Sequence, residues 1–424
     1  MRLLRDRSFA LLTLGHAVNG IGSWAALIAM WGYAAYRFDS GPADIAILAL
    51  SWAVPAAIIG PLAGVPIDRL GPRRVLIGAD LLGATASVLM IFAGSYELLV
   101  AFGVLHGLAK AFSYPAADAL PPRLVADADL LRANAILGAA SESAIVFGPL
   151  VAAGAIALWG LKAAFLLDAL TYLVGVAVVL PLRLGELPSD DEPPAERRKL
   201  RAELAEGVAL ASRLRGVRYT LLLGIPVYLS WGAFAVVEPV YVRDVLGRSP
   251  TFFAMLQVAF GVGLVLTGLL LPRLGERVVS PASLAASVML SGLTAALYVG
   301  TAIPAFAFAG VFLWGVDVAF FSAPSRTLLQ RYAPVEAHGR VLALNRSLHS
   351  WSDLVALPLT GFAAGVVGVQ AAALSFAAVA LVAGTFGLSR SRSVLAGDLV
   401  GDDVHLGLVG LDLDLAPLAP EPSA

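Results

Sequence analysis

The sequence predicts an all-α membrane protein whose twelve transmembrane helices form two pseudo-symmetric six-helix bundles. Three observations carry that expectation: the composition, the length of the apolar runs and the placement of the basic residues. Of 424 residues, 59% are hydrophobic and 14% charged, and the mean hydropathy is +0.83, whereas soluble domains carry roughly 25% charged residues. Lipid offers the backbone no hydrogen-bond partner, so a spanning chain must be helical or a closed barrel. Uninterrupted apolar runs of about 20 residues mark the helical solution.

Twelve such runs follow one another: Phe9 to Tyr36, Ile45 to Ile67, Val75 to Gly94, Leu98 to Asp118, Asn134 to Trp159, Ala163 to Leu182, Tyr219 to Val242, Phe252 to Leu271, Ser280 to Gly300, Pro304 to Ala323, Leu342 to Val366 and Gln370 to Leu388. An even number puts both chain ends on one side. Lys and Arg gather in the loops of that side, from Arg2, Arg5 and Arg7 through Arg69, Arg73 and Arg74 to Arg390 and Arg392. Only Arg37, Lys162, Arg243 and Arg248 fall opposite, and Lys110 lies within a span. Because cytoplasmic loops retain the basic excess, both termini are expected in the cytoplasm and the protein in the cell inner (plasma) membrane. The first run is too long and ends too poorly for a cleaved signal peptide, so it is read as a span.

The chain divides into an N-terminal six-helix bundle (1–182), a cytoplasmic linker (183–218), a C-terminal six-helix bundle (219–390) and a tail (391–424) without expected structure. The linker concentrates charge; Ala195 to Arg215 places Leu200, Leu204, Val208 and Ala211 at helical spacing, as an amphipathic surface helix or a plain solvated connector. Between the second and third runs lies GVPIDRLGPRRVL, Gly64 to Leu76, a tight charged hairpin. In it Gly64 and Gly71 are read as allowing close packing and a turn, Pro72 suits a first helical turn, and Asp68 with Arg69 or Arg73 can latch neighbouring span ends. A topogenic basic loop is the simpler alternative. Gly268, Pro272, Arg273, Gly275 and Arg277 repeat this pattern 204 residues on, except at the aspartate. Leu120, Arg123 and Arg132 recur as Leu328, Arg331 and Arg340. Repeated halves are a transporter signature, with a substrate site near the midplane where they meet.

The hairpin, as Gly64, Asp68, Arg69, Gly71, Arg73 and Arg74, resembles the loop 2 to 3 signature of the major facilitator superfamily, with Pro72 where that signature usually has a basic residue. Gly148-Pro149, followed by Ala152, Ala153 and Gly154, resembles the glycine-proline antiporter signature of its exporter branch. The context RANAILGAASESAIVFGPLVAAG is similar to the subfamily of macrolide-efflux and siderophore-export proteins. The resemblance covers about Met1 to Arg390. It implies a gating role for the hairpin residues. Gly148-Pro149 breaks the local backbone ladder and permits a bend, which either serves the gating of a rocking helix or only shapes packing. Proton-coupled drug exporters carry an arginine four residues before a span-four glycine; before Gly107 that position holds Gly103.

Charges within spans cost from about 2.5 to over 10 kcal/mol, so each is a site candidate. His106 and Lys110 share a face of span four, and Asp317 lies at similar depth in span ten. Lys110 and Asp317 are therefore read as a pair across the halves, either switching or permanently structural. Glu142, near Gly148-Pro149, is a further protonatable candidate, and Asp80 and Asp353 are weaker ones. Asp168 is read as pairing with Lys162, and His349 with Asp353. Tyr228, Trp231 and Glu238 form a stripe on span seven, and His16, Asn19, Ser23, Leu27 and Met30 form another on span one. The resemblance implies that spans one, four, seven and ten line the cavity, which makes Asn19, Trp24, His106, Tyr228, Trp231, Glu238 and Trp314 the substrate-binding candidates. Trp231 and Trp314 have a plain packing role as the alternative.

The expected function is secondary active export of small amphipathic organic compounds (drug-, antibiotic- or siderophore-like), in exchange for protons, by a monomer. The alternative is a facilitator or importer of a nutrient. No enzyme motif, cofactor motif or metal-ligand cluster is present, the chain has no cysteine, and no nucleic-acid partner is expected. The expected partners are the substrate, protons and the lipid bilayer.

Overall fold

A computed structural model describes residues 3–182, 208–209, 211–334 and 337–407. Among them run 12 helices long and apolar enough to cross a membrane. Spans 1 to 6 are Arg7–Arg37, Pro42–Leu62, Pro72–Ile91, Tyr96–Asp118, Ala128–Trp159 and Leu161–Val179. Spans 7 to 12 are Arg215–Val245, Pro250–Val278, Pro281–Val299, Pro304–Tyr332, His338–Val367 and Val369–Arg392. They overlap the twelve expected runs one for one. Most outlast those runs because a helix extends into polar capping residues. Asp6 caps span 1 by accepting from the Phe9 amide at 2.9 Å, and Ser95, Ser249 and Ser280 cap spans 4, 8 and 9 in the same way. Proline opens spans 2, 3, 8, 9 and 10, where its missing N–H costs no helical bond.

The charged hairpin is a short helix, Gly64–Leu70, closed by Gly71 and followed by Pro72 at the start of span 3. Gly71 has φ +82°, the left-handed region that glycine alone enters cheaply. Its counterpart Gly275 has φ +56°, so the later copy keeps the turn although it has lost the acid. The Gly64 reading needs correction: nothing lies within 4 Å of where its side chain would start, so it is not a close-packing residue.

Without a hydrophobic drive between helices in lipid, close backbone approach holds the bundles. Span 4 crosses span 2 at Gly107, where a Cβ would stand 2.4 Å from the Trp52 carbonyl oxygen; span 10 crosses span 8 at Gly315, where one would stand 2.0 Å from that of Phe260. The cores are arranged unevenly. Far from the chain ends, one continuous apolar core joins both halves, from Ala25, Ile45 and Phe165 to Phe234, Phe253 and Trp314. Toward the chain ends the halves keep separate cores, around Phe9, Ile67 and Leu120 in one and around Val227, Val288, Val217 and Leu329 in the other. The two bundles are thus joined at the far end and parted toward the chain-end face.

The helix of span 12 continues to Gly407, so the tail expected to lack structure from residue 391 is helical for its first part. No proline falls within Val369–Gly407 to interrupt it. Residues 408–424 and most of the linker, including the greater part of its expected amphipathic helix, lie outside the described residues.

Candidate functional site

A cavity of about 280 Å³ lies within the N-terminal bundle, in the half nearer the chain ends. Span 1 supplies His16, Asn19, Ser23 and Trp24; span 2 supplies Trp52; span 3 supplies Asp80; span 4 supplies Lys110, Ser113 and Tyr114. The period of 3.6 residues explains why Asn19 and Ser23 face Lys110 together. The Lys110 ammonium donates to Ser23 Oγ at 2.6 Å and to Asn19 Oδ1 at 3.1 Å. It also stands 5.1 Å and 4.9 Å from the ring centres of Tyr114 and Tyr172. Lys110 is only 1% exposed and Asp80 only 2%. Two neutral oxygens and two ring faces are therefore the direct contacts of this cation. Asp80 accepts from Ser113 Oγ at 3.0 Å, which places an acid and a base in one cavity.

Behind this cavity, a second polar cluster is wholly enclosed. His106 Nε2 lies 3.0 Å from Asp168 Oδ2, which also accepts from Ser87 Oγ at 2.6 Å. The Tyr172 hydroxyl is 3.3 Å from the same ring nitrogen, and Trp52 meets the imidazole edge-on at 4.8 Å. Two expectations change here. His106 does not line the cavity: four residues along a helix rise about 6 Å, enough to carry it from the Lys110 level into the seam with span 6. Asp168 does not pair with Lys162 at the surface but is fully buried against spans 3 and 4.

The C-terminal half has its own buried acids. Asp317 accepts from Ser291 Oγ and is inaccessible. Ser291 stands 204 residues after Ser87, the offset of the hairpin repeat, so equivalent serines of spans 9 and 3 each bind a buried aspartate. The expected Lys110–Asp317 pair is not formed, because each partner is engaged within its own bundle; matching depth did not mean facing directions. Glu238 is 3% exposed and accepts from Gln257 Nε2 at 2.5 Å, so it is buried against span 8. Trp314 packs among Phe234, Phe260 and Tyr298, which is the packing role. Tyr228 bonds Asn345 Oδ1 at 3.0 Å and stacks on His349 at 4.6 Å, with Trp231 edge-on to both rings. His349 lies 3.5 Å from Asp353, as its spacing indicated, and both are partly accessible.

Among the gating candidates, Asp68, Arg69 and Arg74 are exposed on the chain-end face. Arg73 reaches the Leu182 carbonyl at 3.3 Å, tying span 3 to the end of span 6. Gly148, beside Pro149 within span 5, lets that helix press on span 1: a Cβ there would stand 2.4 Å from Trp24 Cβ. The Glu142 side chain lies outside what the structure describes. Gly103 is equally confined, with Ser51 Oγ 2.3 Å from its missing Cβ, so an arginine has no room at that position.

Sequence reasoning missed the seal at the far end. Arg243, at the end of span 7, donates to the carbonyls of Ala35 at 2.5 Å and Ser40 at 3.1 Å and pairs with Asp39 at 3.0 Å, all in the opposite half. Asp244 holds the rest of its guanidinium at 2.5 and 2.9 Å. Nearby, Gly361 of span 11 lies against Ala43 and Ala46 of span 2. An arginine beside an aspartate near a span end was the available signal.

Known proteins place the chain. The family model of the Major Facilitator Superfamily matches residues 12–227 and 220–410. Macrolide efflux protein A of Streptococcus pyogenes is 27% identical over 377 residues, covering 85% of this chain and 90% of that protein. The uncharacterized MFS-type transporter y4rN of Sinorhizobium fredii is 30% identical over 373 residues, covering 83% and 85%. Among solved structures, a bacterial homolog of the human lysosomal transporter Spinster superposes with TM-score 0.71 at 15% identity, over 93% of this chain and 98% of that one. The nucleoside transporter NupG does so with TM-score 0.70 at 13% identity, over 90% and 99%. Twelve spans in two repeated halves, the retained hairpin turn and a match along nearly the whole length agree: the chain is a multi-pass membrane transporter and belongs to the Major Facilitator Superfamily.

Proposed function

We propose that the protein exports small amphipathic organic compounds by alternating access, in exchange for protons. The observation that carries this reading is the N-terminal cavity, which combines aromatic faces (Trp24, Trp52, Tyr114) with a neutral-solvated lysine and a buried acid. Aromatic walls accept a range of apolar skeletons, while a few fixed polar groups orient them. The Lys110 ammonium and the Asn19 amide offer donors to a substrate carbonyl or hydroxyl. Asp80 is the carboxyl that lines the same cavity, and it takes the place of Asp317 as the coupling acid and of Glu238 as the carboxylate facing substrate, because those two are held by Ser291 and Gln257 in the other half.

The separated cores toward the chain-end face and the Arg243 seal at the far end support access from the chain-end side, which the basic loops assign to the cytoplasm. Similarity to a macrolide efflux protein supports the outward direction. A proton moving inward through 100 mV contributes about 2.3 kcal/mol, enough to drive substrate uphill by more than tenfold.

The test is transport by purified protein in proteoliposomes with a panel that includes a labelled macrolide and a lipophilic dye. Lys110→Gln and Trp24→Ala should each lower transport of accepted compounds at least tenfold with thermal unfolding unchanged. Wild-type rates in both variants would remove the cavity from the transport path.

A further inference from the structure

At the end of the molecule remote from the chain ends, spans 1, 5 and 6 meet around two cations. Arg37 closes span 1 and Lys162 opens span 6, and together with Tyr36 and Trp159 they line a pocket of about 350 Å³. Both cations are exposed, and among the described residues neither takes part in an ion pair. Asp39, the acid closest to Arg37 in sequence, is held by Arg243 at 3.0 Å, and the first turn of span 6 carries no acid.

This pocket continues into an apolar groove of about 630 Å³ between spans 3, 5 and 6. Trp159 and Lys162 belong to both. Val151, Leu166 and Leu170 form the groove walls and are 37%, 49% and 50% exposed, so they face the hydrocarbon. Trp159, 74% exposed, stands where the two meet, at the depth that interfacial tryptophans favour.

We propose that this is a binding site for an anionic phospholipid, with the phosphate on Arg37 and Lys162 and one acyl chain in the groove of spans 3, 5 and 6. The juxtaposition selects the ligand class. Two cations without an acid beside them attract net negative charge, whereas a zwitterionic headgroup would bring its own ammonium against them. An apolar groove opening below the cations accepts a chain attached to that same headgroup. A free inorganic anion would use the pocket and leave the groove empty. The groove wall belongs to the half of span 5 beyond Gly148-Pro149, so an occupied site braces the outer part of that helix against span 6.

The test is native mass spectrometry of the full chain released from bilayers of equal phosphatidylglycerol and phosphatidylcholine. Wild type should retain phosphatidylglycerol preferentially. Arg37→Gln and Lys162→Gln should each lower that preference about fivefold, and the double variant should lose it. Val151→Trp, which fills the groove and keeps both cations, should lower phosphatidylglycerol retention while Tm in detergent is unchanged; Leu166→Trp serves the same purpose if the first variant does not fold. Equal retention of the two lipids by wild type, or an undiminished preference in the double variant, would overturn the proposal. Full retention in the groove-filled variants would do so too, by leaving surface charge alone as the attraction.

Discussion

Replacing Arg243 by glutamine should release the far-end seal and shift the protein toward the state open on that side. Three contacts cross between the halves from this one guanidinium: the carbonyls of Ala35 and Ser40 and the carboxylate of Asp39. They do not count equally. Asp39 is 92% exposed, and an ion pair with so exposed a partner contributes little. The two carbonyl bonds come from a guanidinium that is only 17% exposed, and hydrogen bonds to charged groups contribute about 1.5–3 kcal/mol each. Water recovers part of this once the seal opens, which leaves about 2–3 kcal/mol for the pair, or about 30- to 150-fold in the equilibrium between the two states. The chain has no cysteine, so spin labels can be placed uniquely at Glu97→Cys and Ala302→Cys, at the far ends of spans 4 and 10. Wild type should give one short distance distribution; Arg243→Gln should add a longer population, and Arg243→Lys, which keeps charge but loses the fork, should fall between. Identical distributions in wild type and Arg243→Gln would refute the role of this contact as a seal.

Because Lys110 and Asp317 are engaged in separate bundles, Lys110→Gln and Asp317→Asn should act independently, with a coupling below about 0.5 kcal/mol in a double-mutant cycle on transport rate; strong coupling would restore the cross-half pair. Gly103→Arg should not create a coupling arginine but overpack spans 2 and 4, destabilising by about 1–3 kcal/mol, read as a fall in Tm. Asp68→Asn should reduce transport about fivefold or more, a loss of about 1 kcal/mol, whereas substitutions at Pro272, where the repeat has no acid, should leave it near wild type.

The spans were legible because their lengths answer to bilayer thickness, and the hairpin because a turn with positive φ leaves a glycine and a proline in sequence, at Gly71 and Pro72. The cavity was half legible. Asn19, Trp24 and Lys110 line it, since a polar residue within a span must face away from lipid. Which inward direction it faces is set by helix rotation, and sequence spacing does not carry that. His106 and Lys110 share a face, yet one enters a closed seam and the other a cavity. Lys110 and Asp317 share a depth but not a direction, while Asp168 has its partners 62 and 81 residues away, on spans 4 and 3. Arg243 escaped notice because two of its three partners in the opposite half are the backbone carbonyls of Ala35 and Ser40, which every residue has and no motif records, and spacing does not show that Asp39 would meet it.

Export against protons rests most directly on substrate movement under an imposed pH gradient. Proteoliposomes with an acid lumen should accumulate an accepted amphipathic compound above its outside concentration, through those molecules whose chain-end face points outward, and Asp80→Asn should reduce this to passive equilibration. Accumulation that is indifferent to the gradient, or undiminished in Asp80→Asn, would contradict proton exchange through this cavity.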